Sequence, residues 1–305
     1  MRRLIVIQGP TASGKTKLAV QLAKKIGTVI LSADSRQFYR EIQIGTAKPT
    51  IEEQEHVKHY FIDSHTIHSP VTSAQFEKEA IELLDVLFED YPDIVLVGGS
   101  GMFIDALCDG INEVPKDDFI RNELNIEFQL NGLPYLLNEL KREDLLYYNK
   151  VDKGNPLRVI RALEVIRSTG STYSSFLDKN KISKRNFDVL KFVIDLPRTI
   201  LYERINFRVE QMISIGLLDE VKSVFEFRHL QSLNTVGYKE FFSYLKSEIE
   251  FEEAIELIKK NTRNYAKRQL TWFRKDTSTV WLKSSDTESQ LNEVISVLNE
   301  FILSF

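Results

Sequence analysis

GPTASGKT, residues 9–16, follows directly on the apolar run LIVIQ, residues 4–8. Gly9, four intervening residues, then Gly14, Lys15 and Thr16 fit the phosphate-loop pattern G-x-x-x-x-G-K-[ST]. The glycines allow a tight turn in which successive N–H groups point inward at phosphate oxygens. A helix starting near Gly14 would present its unpaired N–H groups and its dipole to the same anion. Pro10, Thr11, Ala12 and Ser13 complete the loop, Lys15 adds a mobile charge, and the Thr16 hydroxyl is placed for Mg²⁺. The context fits: Leu4–Ile7 reads as a strand, and Lys15–Ile26 as a helix with Leu18, Ala19, Leu22 and Ile26 on one face.

Outward from the loop, the sequence reads as an α/β protein: a parallel sheet core carrying the loop, flanked by helices, with a mostly helical insertion. Further strands are expected at Val29–Ser32, Ile94–Val97, within Val189–Pro197 and at Thr279–Leu282. Helices are expected at Ser73–Phe88, Met102–Leu107, 199–213, 217–228, 251–274 and 286–303. Between 116 and 187 the pattern turns helical and more charged, with breaks at Gly132-Leu133-Pro134 and Gly154-Asn155-Pro156. The core would then comprise 1–115 and 188–305.

The 305 residues carry a formal net charge of −4, which argues against a protein that coats nucleic acid indiscriminately. Cys108 is the only cysteine, so disulfides within the chain and Cys-based zinc sites are excluded. His56, His59, His65 and His68 lack the H-E-x-x-H pattern and read as a polar loop rather than a metal site. No apolar run approaches the ~18 residues of a membrane span, and the short apolar N-terminal stretch runs straight into the phosphate loop. A cytoplasmic protein is expected, acting as a monomer.

Three more polar groupings stand near expected strand ends or on helices. Asp34 follows Val29–Ser32, where a parallel sheet places its active-site edge. It could hold Mg²⁺ through water, take a proton from a nucleophile, or simply cap a helix. Lys48 is a further candidate for the phosphate side. LVGGSGMF, residues 96–103, ends a strand in glycines and Ser100 instead of the carboxylate common in nucleotide hydrolases. Arg204 and Arg208 lie four apart on one helical face and could clamp a diphosphate, although spacing alone favours a solvated face paired with Glu203 and Glu210. LIKKNTRNYAKRQLTWFRK, residues 257–275, holds seven Lys and Arg and no acid, interleaved with Tyr265, Trp272 and Phe273. In an acidic protein that favours a polyanion site over a solvated face.

GPTASGKT together with ADS (33–35), IGTAKP (44–49), VGGSGMF (97–103), NPLRVIRALEV (155–165), RVEQM (208–212), TVGYKE (235–240) and KRQLTWFR (267–274) resembles the tRNA dimethylallyltransferases, also called tRNA isopentenyltransferases. The motifs keep that family's order from the first strand to about residue 282, in its bacterial form. The resemblance implies transfer of a dimethylallyl group from dimethylallyl diphosphate to the N6 amine of the adenine just 3′ of the tRNA anticodon, with Mg²⁺. It implies that residues 9–16 bind the diphosphate, with Thr16 on Mg²⁺ and Arg208 and Arg204 as outer clamps. Asp34 would accept the amine proton, and Ser35, Arg36 and Gln37 would line the adenine or the adjoining anticodon stem-loop. Further tRNA contacts implied are Ser100, Arg121, Leu157, Arg158, Arg161, Asn234, Gly237, Tyr238, Lys239, Lys267, Arg268, Gln269, Trp272 and Arg274. Ser100 replaces the family's usual Thr, keeping the hydroxyl and losing a methyl contact. From residues alone, a P-loop kinase using ATP stands as the alternative.

Overall fold

The computed structural model describes residues 2–112, 114–177 and 185–303. Arg3–Gln8 (β1), Ile30–Ser32 (β2), His59–Tyr60 (β3), Asp93–Gly98 (β4), Asp188–Ile194 (β5) and Val280–Leu282 (β6) form one parallel sheet in the order β3-β2-β4-β1-β5-β6. All six residues of β1 are buried, as a central strand covered on both faces requires. β1 pairs with β4 and β5, so Gln8 sits beside Gly98 and Val193 and their outgoing loops share one edge of the sheet.

The helices of this part are Lys15–Ile26 (α1), Ile51–Gln54 (α2), Ser73–Asp90 (α3) and Gly101–Asp109 (α4) before the insertion. Within the insertion they are Asp118–Glu143 (α5), Leu145–Lys150 (α6), Pro156–Thr169 (α7) and Tyr173–Leu177 (α8). Arg198–Ser214 (α9), Leu217–Ser223 (α10), Tyr238–Leu245 (α11), Phe251–Phe273 (α12) and Thr287–Leu303 (α13) follow β5. Two departures from the sequence pattern have physical causes. β3 was not expected: it has two residues, half-buried at the sheet edge, too short for any alternation, and it takes His59 out of the polar loop. The helix expected over 217–228 ends at Ser223, where a 3-10 turn at Phe225–Phe227 tightens the chain.

The chain divides into two compact units, Met1–Cys108 with Arg185–Phe305, and Asp109–Lys184. The break therefore falls before residue 116 and before residue 187. Cys108 is still buried in the core of the first unit, and on return Arg185 already bonds Glu77 and the Ala106 carbonyl of that unit. The second unit is helical. α5 kinks at Gly132 (φ 76°), and Asn155 caps α7 by accepting from Arg158 N, with Pro156 in the first turn. Leu124, Leu136, Leu140, Val159, Ile160 and Leu163 form its core. No helix among the described residues is long and apolar enough to cross a membrane.

Candidate active site

The loop after β1 turns through Ala12 (φ 64°) and Gly14 (φ 93°). Gly14 caps α1 without a side chain, and the first helical bond is Leu18 N to Gly14 O at 3.2 Å. The N–H groups of Lys15, Thr16 and Lys17 thus precede the helical ladder and are free for an anion. Ser13 Oγ is buried with no hydrogen-bond partner among the described residues, an orphan that a phosphate oxygen would satisfy. Arg204 approaches the loop from α9, its Nη1 3.5 Å from the Ser13 carbonyl. The loop is braced from behind: Thr11 N donates to Gln269 Oε1 at 2.9 Å, and Gln269 Nε2 donates to Gly99 O at 2.8 Å.

A cavity of about 340 Å³ opens beside the loop. Thr11 and Lys15 line one side, Asp34, Ser35 and Arg36 the next, and Arg208, Met212, Leu217, Ile258, Tyr265 and Arg268 lie among the rest of its wall. Burial pushes the Lys15 ammonium down to about 8; the Asp34 carboxylate partly offsets this, and Arg208 adds to it. Burial likewise lowers Arg208, with Glu53 working the other way. The Arg208 side chain makes no hydrogen bond or ion pair among the described residues. Two desolvated, mutually repelling cations beside N–H groups outside the helical ladder make a site suited to an anion.

Asp34 caps a turn, not a helix: its Oδ1 accepts from Arg36 N at 3.1 Å. The turn is pinned to the end of β4. A Cβ on Gly98 would collide with the Ala33 carbonyl, Ser100 N donates to that carbonyl at 3.3 Å, and Ser35 N donates to Ser100 Oγ at 3.0 Å. The Tyr265 phenol closes this corner. Burial, with the Asp34 carboxylate adding, pushes it up to about 12, while a Ser100 hydrogen bond and the charges of Arg36 and Arg268 pull the other way. It stays a protonated donor at neutral pH.

The loop at Gly45–Ala47 forms another stretch of wall, and its support could not be read from the sequence. Glu220 of α10 accepts from the N–H groups of Gln43, Ile44 and Gly45 at 2.7–2.9 Å and from Tyr238 Oη at 2.6 Å. Gly45 has no room for a side chain against the Tyr238 ring. Lys48, expected on the phosphate side, instead has its side chain turned inward, 3% exposed, where it bonds Asp63 and the Tyr39 carbonyl.

Several residues expected to touch tRNA have their side chains committed inside the protein. Gln269 is the brace already described, 6% exposed. Trp272 packs over Gly101 and donates to Asp105 Oδ2 at 2.8 Å. Tyr238 is buried on Glu220, and Gly237, at φ 95°, donates to Glu240. Gln37 holds the Thr46 and Ala47 carbonyls, and Arg36 holds those of Gln231, Ser232 and Asn234. In the second unit, Arg121 and Arg161 both pair with the fully buried Glu164, while Leu157 and Arg158 stay exposed. Left exposed in the first unit are Asn234, Lys239, Lys267, Arg268, Arg274 and Lys275; the last three lie over the rings of Tyr265, Trp281 and Trp272. Cations set against aromatic faces suit a single-stranded nucleic acid.

A family model described as "IPP transferase" matches residues 37–276. A tRNA dimethylallyltransferase of Bacteroides thetaiotaomicron is 45% identical over 300 residues, covering 98% of this chain and 97% of that protein. The chain belongs to the IPP transferase family. Among solved structures, the tRNA isopentenylpyrophosphate transferase of Bacillus halodurans aligns with a TM-score of 0.73 at 35% identity, over 98% of this chain and 96% of that one. A eukaryotic dimethylallyltransferase captured acting on tRNA aligns with a TM-score of 0.83 at 25% identity, over all of this chain and 80% of that one. Membership of the IPP transferases sets aside the kinase that the loop alone allowed, and makes sense of β4 ending in Gly98-Gly99-Ser100 without a carboxylate.

Proposed function

We propose that this chain transfers the dimethylallyl group of dimethylallyl diphosphate to the N6 amine of the adenine 3′ of a tRNA anticodon. The observation that carries the reading is one cavity lined by the phosphate loop, the Asp34 carboxylate and an apolar wall, with exposed cations on α12 nearby. The N6 lone pair forms a bond to the first allyl carbon as that carbon's bond to oxygen breaks, and the electron pair leaves with the diphosphate. Asp34 accepts the proton that N6 sheds. The amine is a poor nucleophile, so the barrier falls chiefly through Lys15, Arg208 and the loop N–H groups, which meet charge developing on the leaving oxygen. Burial of the apolar part holds the allyl carbon in place for attack. The target base must leave its stack to reach the cavity.

Among the described residues no three His, Cys, Asp or Glu side chains are grouped to hold a metal. A Mg²⁺ ion here would therefore take phosphate oxygens and water, its ordinary preference, with the Thr16 hydroxyl as protein ligand. Bound there, it would neutralise charge on the departing diphosphate. In this reading a monomer acts alone, in the cytoplasm where unmodified tRNA is met; the Lys15, Asp34 and Arg208 that line the cavity all belong to one chain.

The test is incubation with Mg²⁺, radiolabelled dimethylallyl diphosphate and unmodified tRNA, with ATP replacing the donor in a parallel reaction. Label should enter tRNA and be lost when the target adenine is replaced. Absence of label with consumption of ATP would overturn the reading.

Two expectations attach to the binding surfaces. Lys15 titrates near 8, so affinity for dimethylallyl diphosphate should fall about tenfold per pH unit above that value, as the ammonium is lost. Lys15→Met should bind more weakly and lose the alkaline limb; calorimetric titration from pH 7 to 9.5 checks both. Lys15 in the ligand-free protein lies below its ordinary 10.5, so between about 8 and 10.5 the unfolded state binds more protons. This group therefore adds stability as pH rises through that window. Arg268→Ala should weaken tRNA binding and reduce the slope of log affinity against log salt by about one. An unchanged slope in filter binding would return Arg268 to a solvated face.

A further inference from the structure

α9 presents one stripe to the cavity side at helical spacing: Arg204 beside the phosphate loop, then Arg208, then Met212, each four residues on. Four residues advance the helix by about 6 Å. A dimethylallyl chain reaches roughly 4 Å from its first carbon to its methyl carbons, counted as three carbon–carbon bonds. With the diphosphate held between Lys15 and Arg208, Met212 stands where a five-carbon chain ends. The neighbouring walls are fixed, since Leu217 and Ile258 are 0% and 2% exposed and packed into the sheet-side core. Met212 is different: it is only half-buried, unbranched and adaptable. Just past it α9 ends at Ser214, and Ser214 and Ile215 are exposed, so the helix end beyond Met212 borders solvent.

We propose that Met212 is the end wall that restricts the donor to a five-carbon allylic diphosphate. The assignment rests on the reading of the cavity as an allyl diphosphate site. Met212 takes no part in bond making; it sets which chain fits with its first carbon at the attack position.

The experiment offers dimethylallyl and geranyl (ten-carbon) diphosphates in competition to wild type, Met212→Ala and Met212→Phe with tRNA, and weighs the modified adenosine by mass spectrometry. Met212→Ala should raise the geranyl-to-dimethylallyl ratio of kcat/KM by about tenfold or more, within the range that small changes of fit in an apolar pocket produce. Met212→Phe should raise KM for dimethylallyl diphosphate about tenfold. In both, KM for tRNA should stay at the wild-type value, which a general loosening of the fold would not allow. An unchanged ratio in Met212→Ala, with normal dimethylallyl transfer by the wild type, would overturn this assignment alone. Wild-type protein that leaves tRNA unmodified would overturn the functional reading, and the assignment with it.

Discussion

Asp34→Asn should lower the rate of dimethylallyl transfer by about 10²–10⁴, the span expected for loss of a general base, with tRNA affinity nearly unchanged. Asn is the informative replacement. It retains the Oδ1 that accepts from Arg36 N and so keeps the turn, whereas Ala would also remove that cap. What Asn loses is the charge and the capacity to take a proton from N6. It also removes the carboxylate that partly sustains the Lys15 ammonium, so rates should be compared at pH 7, below the wild-type Lys15 value of about 8. Single-turnover rates with saturating donor, alongside tRNA binding, separate the effects. Turnover near wild type would leave Asp34 as a turn cap and nothing more.

Arg208→Ala should cost about 10²–10³ in the rate of the chemical step, as expected when one preorganised stabiliser of a developing anion is removed. Arg208→Lys should recover part of this, since a point charge replaces a planar fork. The same substitution carries an opposite expectation for the ligand-free fold. Arg208 is half-buried, its side chain makes no hydrogen bond or ion pair among the described residues, and it pushes Lys15 toward its neutral form. Removing it relieves both penalties, so the thermal midpoint should hold or rise while activity collapses, a stability–activity trade located at one side chain. The alkaline limb of donor binding should move upward with it. A mutant that loses activity and stability together would mark Arg208 as a packing residue.

The features legible in the sequence were those whose signal is local. Apolar strands such as LIVIQ, the loop 9–16 and the glycines at the end of β4 each announce themselves within a few residues, and together they fix the parallel sheet and the edge where the site lies. β3 is two residues long and could not. The internal partners of several candidate site residues had no such local signal. Lys48 and Arg121 are cations whose partners lie at a distance in sequence: Asp63 for the first, Glu164 for the second. A basic residue whose acid is distant looks unpaired. Gln269 and Trp272, tRNA contacts that the family resemblance implies, stand in a basic run. That run is a helix with two faces, and these two residues point inward. Glu220, which supports the loop at 43–45 from across the core, had no local signature at all.

Gln269 has a consequence for anyone who would take this protein apart. α12 displays Lys267 and Arg268 on its outer side, and from the residue next to them it reaches back to hold Thr11 and Gly99. The natural graft for altering RNA preference, swapping that basic helix with a relative's, would therefore exchange a strut of the donor pocket at the same stroke. A chimaera that keeps Gln269 while replacing only outward-facing positions would change one substrate's surface; one that exchanges the whole helix would re-engineer both. Selection on this chain meets the same constraint, because the two recognition surfaces are inherited through a single amide.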